Sequence, residues 1–141
     1  MKKNKKAPMG HVRYIGDLRC ASMHLKSGQL VESDAPIDNH GKGMKFSPTD
    51  LLSTSLAKCM LTVMGIKANS MKKVLDGSQG HVYKTMASEP RRVAKIRVDL
   101  HLTGDEFSPK ERKVLQKVAM TCPVSNSLHP DLVQEISFYW D

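Results

Sequence analysis

An α+β domain is the fold that the sequence predicts, and three observations support this prediction. Short strand patterns alternate with two helices that have clear start signals. No internal repeat occurs, and 141 residues suit a single hydrophobic core. Hydrophobic residues make up 40% of the chain and charged residues 26%, which is typical of folded proteins and not of disordered ones. We therefore expect one domain over residues 11–141, preceded by a basic flexible tail over residues 1–10.

Three short strands are predicted after the tail. A Ser-Gly pair at positions 27–28 gives a hairpin signal between the second and the third, so a β-meander is the simplest arrangement. The strands cover residues 11–14, 18–26 and 29–33. The following stretch, residues 34–43, is polar, contains glycine and has no periodicity, which predicts a loop that can carry function.

The next segment has a strong helix start, because Ser47 can cap free N–H groups, Pro48 suits the first helical position and Asp50 complements the positive helix end. We expect this helix to run to about residue 68. Apolar side chains cover most of its circumference, and Lys58 is its only charge between Leu51 and Ile66. A chain of this size can hardly surround such a helix alone, so the pattern predicts a homodimer.

The second half of the chain completes the pattern. Strands are predicted over 80–87 and 93–102, and in the second of these apolar residues alternate with Arg97, Asp99 and His101, which places one face in water. Ser108-Pro109-Lys110-Glu111 is a capping box that opens a helix to about residue 120. Pro123 starts a short helix to about residue 128, and residues 135–140 form a closing strand.

Composition excludes several classes of function. No apolar run approaches the roughly 18 residues that cross a bilayer, and the basic start contains no apolar signal segment. We therefore expect a cytoplasmic protein that does not associate with a membrane. The net charge of +8 suits an anionic partner. Four lysines lie in the first six residues, however, and the seven aromatic residues form no stacking motif, which counts against nucleic acid. The GxxG sequence at residues 77–80 matches an RNA-binding loop, but it is isolated and precedes a predicted strand, whereas that loop joins helices. It is therefore weak evidence for RNA binding.

Two of the three cysteines have informative surroundings. Thiols stay reduced in the cytoplasm, so these residues are expected to be buried, metal-bound or catalytic. Cys59 lies in an apolar helix and could simply be a small core residue. Cys122 precedes Pro123 and can cap a helix, where unpaired N–H groups stabilise a thiolate. Because the two cysteines are 63 residues apart, only the fold can bring them together.

Two motifs resemble those of the OsmC family, which includes the organic hydroperoxide resistance proteins. Residues 46–60, FSPTDLLSTSLAKCM, resemble its proline-opened helix with a cysteine about three turns in. Residues 122–128, CPVSNSL, resemble its second motif, with a cysteine before proline and a short helix. The resemblance implies an OsmC-like fold, in which an intertwined homodimer wraps antiparallel-rich sheets around central cysteine-bearing helices.

The resemblance also implies a thiol peroxidase for organic hydroperoxides, with Cys59 peroxidatic and Cys122 resolving. It implies no bound cofactor and no metal, but an external dithiol reductant, typically a lipoyl group. An arginine oriented by a glutamate activates the thiol in the family. We choose Arg19 for that role, with Arg13 as the second choice. An equally good interpretation is that Arg19 is simply a solvent-exposed residue of a strand.

The chain departs from the family at the glutamate. Thr49 follows the helix-opening proline where hydroperoxide-reducing members have glutamate, and Asp50 comes next. Asp50 is a candidate substitute, but it points about 100° further round the helix and could serve the helix end alone. The departure favours an alternative, a non-catalytic stress-response, binding or redox-sensing domain.

Two further possibilities concern ligands. Met44, Met60 and Met64 are candidates for an apolar pocket that holds the organic part of a hydroperoxide, although methionines at such spacing are more often core residues. Metal binding through both cysteines with His40 or His129 is disfavoured, because no two of these residues have the close spacing of a zinc site.

Overall fold

The computed structural model describes residues 6–141, and the chain forms two compact units. The first unit ends at Leu51 and the second comprises Leu52–Asp141. Residues 1–5 of the predicted basic tail lie outside the described residues, and the first strand begins at Gly10, at the predicted end of that tail.

The first unit contains the predicted β-meander. Strands β1 (Gly10–Gly16), β2 (Arg19–His24) and β3 (Leu30–Asp34) pair antiparallel in the order β1-β2-β3. Gly28 occupies the turn between β2 and β3 with φ of 77°, which a side chain would strain. A short 3₁₀ helix, Ile37–Asn39, interrupts the predicted loop.

The second unit combines a sheet with three helices. Strands β4 (Gln79–Ala87) and β5 (Arg92–Leu102) pair antiparallel, and β6 (Val133–Trp140) lies parallel to β5. A parallel pair needs a crossover connection, which helices α2 (Pro109–Ala119) and α3 (Pro123–Ser127) supply. Helix α1 spans Pro48–Ser70, and the boundary of the two units falls in its first turn.

A continuous hydrophobic core joins the sheet and helices of the second unit. Strand β5 contributes alternate residues of one face, and helices α1 and α2 contribute side chains that are fully buried. They include Leu56, Met60, Met64, Ile96, Val98, Leu100, Leu102 and Leu115. This packing shows why β5 needs period-two hydrophobicity, since only one of its faces meets the helices.

Helix α1 buries a single stripe within the chain, although its composition predicted burial on every side. The buried residues follow a spacing of three and four: Ser53, Leu56, Ala57, Met60, Met64 and Ala68. Ile66, by contrast, is 65% exposed. By length and composition this helix could also cross a membrane, which corrects the expectation that no segment approaches that size. A core helix of a soluble protein passes the same test, and the buried stripe supports that interpretation.

The outer face of β5 is less exposed to solvent than the alternation of apolar and polar residues predicted. Asp99 is only 6% exposed, because the Arg97 guanidinium covers it with two hydrogen bonds of 2.7 and 3.2 Å. His101 also lies on this face and stacks on Tyr139 with ring centroids 4.9 Å apart. Polar side chains that pair with one another can therefore be shielded without a second hydrophobic layer.

Candidate functional site

Cys122 caps the N-terminus of α3, as its position before Pro123 predicted. Its backbone is extended, with φ of −67° and ψ of 153°, and its sulfur accepts a hydrogen bond from the Ser125 N–H at 3.4 Å. Ser125 is itself tied to β6, since its hydroxyl donates to Gln134 Oε1 at 2.6 Å and its carbonyl accepts from Gln134 Nε2 at 3.1 Å. The cap is therefore held by a neighbouring strand, and Cys122 is only 1% exposed.

Cys59 projects from the middle of α1 within the same unit. Its side chain is half-buried and packs against the core cluster that contains Cys122. Both cysteines are free thiols in this structure. The fold of the second unit thus brings together two sulfur atoms that are distant in sequence.

The electrostatics of the pair distinguish the two thiols. Burial raises the pKa of Cys122, the Ser125 N–H opposes this effect, and the neighbouring Cys59 side chain raises the pKa further. We had expected the helix cap to favour a thiolate at Cys122. The cap is present, but burial outweighs it.

Arg19 lies in the first unit, at the start of β2, and is not a solvated strand residue. Its Nη2 contacts Asp34 Oδ2 at 3.4 Å, and its side chain is 25% exposed while that of Asp34 is fully buried. Arg13, the second choice for an activating arginine, is exposed on β1. Arg19 is therefore the more buried of the two and has a carboxylate partner.

Asp34 is a residue that the sequence reasoning missed. It was placed in a polar loop, whereas it ends β3 directly opposite Arg19 in the β2–β3 register. Oδ2 of its carboxylate also accepts the Met44 N–H at 3.1 Å. This hydrogen bond, then the contact with Arg19, lowers the pKa of Asp34 despite burial, which acts in the opposite direction. The signal available beforehand was the hairpin itself, since its pairing places position 34 across from position 19.

Asp50 completes the start of α1. Its carboxylate accepts the Ser47 N–H at 2.9 Å, and the Ser47 hydroxyl accepts the Asp50 N–H at 3.1 Å. This reciprocal pair is a capping box. It supports the interpretation that Asp50 serves the helix end, while a part for Asp50 in chemistry stays a prediction.

The three methionines do not share one environment. Met60 and Met64 are fully buried in the core of the second unit, which favours core packing over contact with a ligand. Met44, in the first unit, is 74% exposed and lines an open cavity of about 510 Å³ together with Phe46. Only Met44 is therefore accessible to a small molecule without movement of the core.

Potential metal ligands were compared across the described part of the chain. No group of three or more histidine, cysteine, aspartate or glutamate side chains among residues 6–141 is arranged to hold a metal ion.

A dithiol protein on an α+β scaffold is the class that this fold and site define. A family model described as OsmC-like protein matches residues 40–137, a range that includes both cysteines. The chain belongs to this family. Comparison with curated protein sequences gives no match.

Solved structures agree with this assignment. A protein of Psychrobacter arcticus 273-4, whose name refers to osmotic stress induction and a detoxification response, is 44% identical, with a TM-score of 0.91 over 96% of this chain and 98% of that one. An organic hydroperoxide resistance protein OsmC of Legionella pneumophila is 18% identical, with a TM-score of 0.72 over 97% of this chain and 99% of that one. A Vibrio cholerae protein named for the same resistance, with captopril in one active site, is 15% identical, with a TM-score of 0.70 over 98% and 96%. At such low identity the last two show the fold alone.

Proposed function

We propose that this protein is a thiol-dependent peroxidase that reduces organic hydroperoxides through Cys59 and Cys122. The observation that supports the proposal is the placement of two free thiols in the second unit, close enough that Cys59 raises the pKa of Cys122. Structural relatives that are named for organic hydroperoxide resistance or a detoxification response are consistent with it. Two thiols in contact can store the two electrons that cleavage of one O–O bond requires.

The environments of the two thiols suggest their roles. Cys59 is the more accessible thiol, and burial raises the pKa of Cys122, which favours the protonated form of that thiol. The Cys59 thiolate attacks the distal peroxide oxygen, the O–O bond breaks, and the alkoxide leaves as an alcohol after taking up a proton. The Cys59 sulfenic acid then reacts with the Cys122 thiol, which forms the disulfide and releases water.

A reductant must reopen the disulfide for turnover. We propose an external dithiol, of which a lipoyl group is an example, in place of a bound cofactor. Arg19 is the residue that we propose for the positive charge that favours a thiolate. A cytoplasmic location and a homodimer complete the proposal, and the exposed apolar side of α1 supports the homodimer.

The test is hydroperoxide-dependent oxidation of dihydrolipoamide by the wild type and by three matched serine variants. We expect Cys59→Ser to lose all activity, because no thiolate remains to attack the peroxide. Cys122→Ser should react once and then stall or overoxidise. Cys20→Ser removes the half-buried thiol of β2 and should leave the rate unchanged. Equal rates in all four proteins would exclude the proposed reaction.

A redox-sensing domain without turnover is the second candidate, and Thr49 is the observation that favours it, since the resemblance implies glutamate at that position. Such a domain would form the Cys59–Cys122 disulfide with one equivalent of peroxide, but dihydrolipoamide would not reopen that disulfide, so no second equivalent of peroxide would be reduced. The number of turnovers per protein therefore separates the two candidates.

A further inference from the structure

We infer that three lysines on the outer face of α2 form a docking surface for an acidic protein that carries the external dithiol. The inference rests on the proposed function, because it concerns the partner that reopens the Cys59–Cys122 disulfide. The surface consists of Lys110, Lys113 and Lys117, and we call it the lysine row. The row and both cysteines belong to the second unit.

The lysine row lies on the side of α2 that faces away from the core. Leu115 and Ala119 are buried, whereas the three lysines are exposed. Positions 110, 113 and 117 have the spacing of three and four residues that aligns side chains along one face of a helix. With a rise of about 1.5 Å per residue, the row is about 10 Å long. One partner surface can therefore contact all three ammonium groups without any movement of the core.

The lysine row opposes the stability of the helix that carries it. Its members form two neighbouring pairs of like charge, Lys110 with Lys113 and Lys113 with Lys117, and such pairs destabilise a helix. Lys110 also lies in the first turn, where the positive end of the helix disfavours a cation. The carboxylate of α2, Glu111, is already bound by Lys73 at 2.7 Å. Residues that conflict with local stability are expected at functional sites.

The charges of the row are not neutralised within the described part of the chain. No ion pair or side-chain hydrogen bond involves the row among residues 6–141. Other lysines of the unit do have acidic partners, since Lys73 contacts Glu111 and Lys95 contacts Glu135 at 3.4 Å. Charge complementarity therefore selects a partner with an acidic surface, in keeping with the net charge of +8.

The lysine row ends beside the redox pair. Helix α2 ends at Ala119, whose carbonyl accepts the Cys122 N–H at 3.3 Å. Val118, the neighbour of Lys117, packs against the core cluster that includes Cys122, and Cys59 packs against the same cluster. A partner that binds along the row is therefore held next to the end of the helix at which the disulfide forms.

The chemistry of this location favours a dithiol protein over other anionic partners. One thiolate of the reductant attacks the disulfide and forms a mixed disulfide, which its second thiol then resolves. Two electrons and two protons pass to the protein thiols, and the reductant leaves as a disulfide. Redox partners meet through small, transient interfaces, in which complementary charge raises the association rate. An anionic lipid surface or duplex DNA could contact the same lysines but supplies no dithiol.

The test is reduction of the preformed Cys59–Cys122 disulfide by two peptides with the same Cys-X-X-Cys dithiol, flanked by glutamates in one and by glutamines in the other. Freed protein thiols are alkylated and counted by mass spectrometry, and each rate is divided by that peptide's rate with a small neutral disulfide. At about 0.01 M salt the glutamate peptide should react about tenfold faster with the wild type, because opposite charges steer the encounter. At about 1 M salt this advantage should disappear.

Lys113→Glu should remove most of the advantage of the glutamate peptide and leave the rate of the glutamine peptide unchanged. It should also raise the urea midpoint of unfolding, because two repulsive pairs on α2 become attractive. Lys95→Glu is the matched control, since it makes the same change of net charge on the outer face of β5. It should keep the advantage of the glutamate peptide. Neutral dihydrolipoamide should reduce the disulfide of all three proteins at equal rates.

Two results would overturn the inference alone. Equal losses in Lys113→Glu and Lys95→Glu would show that net charge acts without a docking surface. A full advantage retained in Lys113→Glu would exclude the lysine row as the docking surface, and loss of binding to phosphatidylglycerol vesicles or duplex DNA by the same variant would then assign the row to that partner. A wild type that does not turn over hydroperoxide with dihydrolipoamide would overturn the proposed function, a result that the disulfide measurement does not share.

Discussion

Replacement of Met64 by alanine tests whether the buried stripe of α1 is core or a ligand pocket. Met64 has no exposed surface and packs in the cluster that joins α1 to the sheet. Removal of a fully buried methionine side chain leaves a cavity and should cost about 2–5 kcal/mol of unfolding free energy. With a urea dependence of about 2 kcal/mol per molar, the middle of the usual range, the unfolding midpoint should fall by about 1–2.5 M.

Ile66→Ala is the matched control, two residues further along the same helix. Ile66 is 65% exposed in the single chain, so its truncation should change the unfolding free energy by less than about 0.5 kcal/mol. A larger loss that depends on protein concentration would show that a second copy covers Ile66, as the proposed homodimer requires. The measurement is urea unfolding followed by circular dichroism at two protein concentrations. Equal midpoints for wild type and Met64→Ala would refute the assignment of Met64 to the core.

Three further outcomes are expected. Gly104→Ala places a Cβ 2.4 Å from Trp140 Cε3 and should cost about 1–3 kcal/mol in urea unfolding, whereas Gly65→Ala meets nothing within 4 Å and should stabilise α1 by about 0.5–1 kcal/mol. The pKa of Asp34 is lowered in the folded protein, so the stability it contributes is present above its ordinary value of 3.8 and is lost as the pH falls through the lower folded value. The midpoint difference between wild type and Asp34→Asn should therefore shrink on acidification, and a constant difference from pH 7 to 3 would contradict this account. Because the pKa of Cys122 is raised, its alkylation by iodoacetamide in Cys59→Ser should stay slow at the pH where an unfolded control reacts, and equal rates would show that burial does not protect it.

Local chemistry explains why the helix starts were predictable. Ser108 and Glu111 make their reciprocal bonds within four residues of each other, and Cys122 caps α3 because Pro123 follows it. Such contacts depend only on neighbours in the sequence. The alternation in β5 likewise predicted which of its residues would enter the core.

Predictions that depended on how a residue packs in three dimensions were less accurate. The apolar composition of α1 indicated burial but not on which side, and the single chain covers one stripe of it. The helix cap at Cys122 indicated a lowered pKa, yet burial, which is a property of the packed unit, reversed the direction. Asp34 was assigned to a loop because its own neighbours are polar, although its partner lies across a hairpin.

By itself the sequence determined the α+β pattern, the helix starts, the meander and the family to which the chain belongs, because these depend on short-range periodicity and on motifs of adjacent residues. Only the tertiary structure decided that Cys59 lies close enough to Cys122 to raise its pKa and that Asp34 forms an ion pair with Arg19. Both contacts join residues on different elements. Their existence depends on how strands and helices pack, which no local pattern encodes.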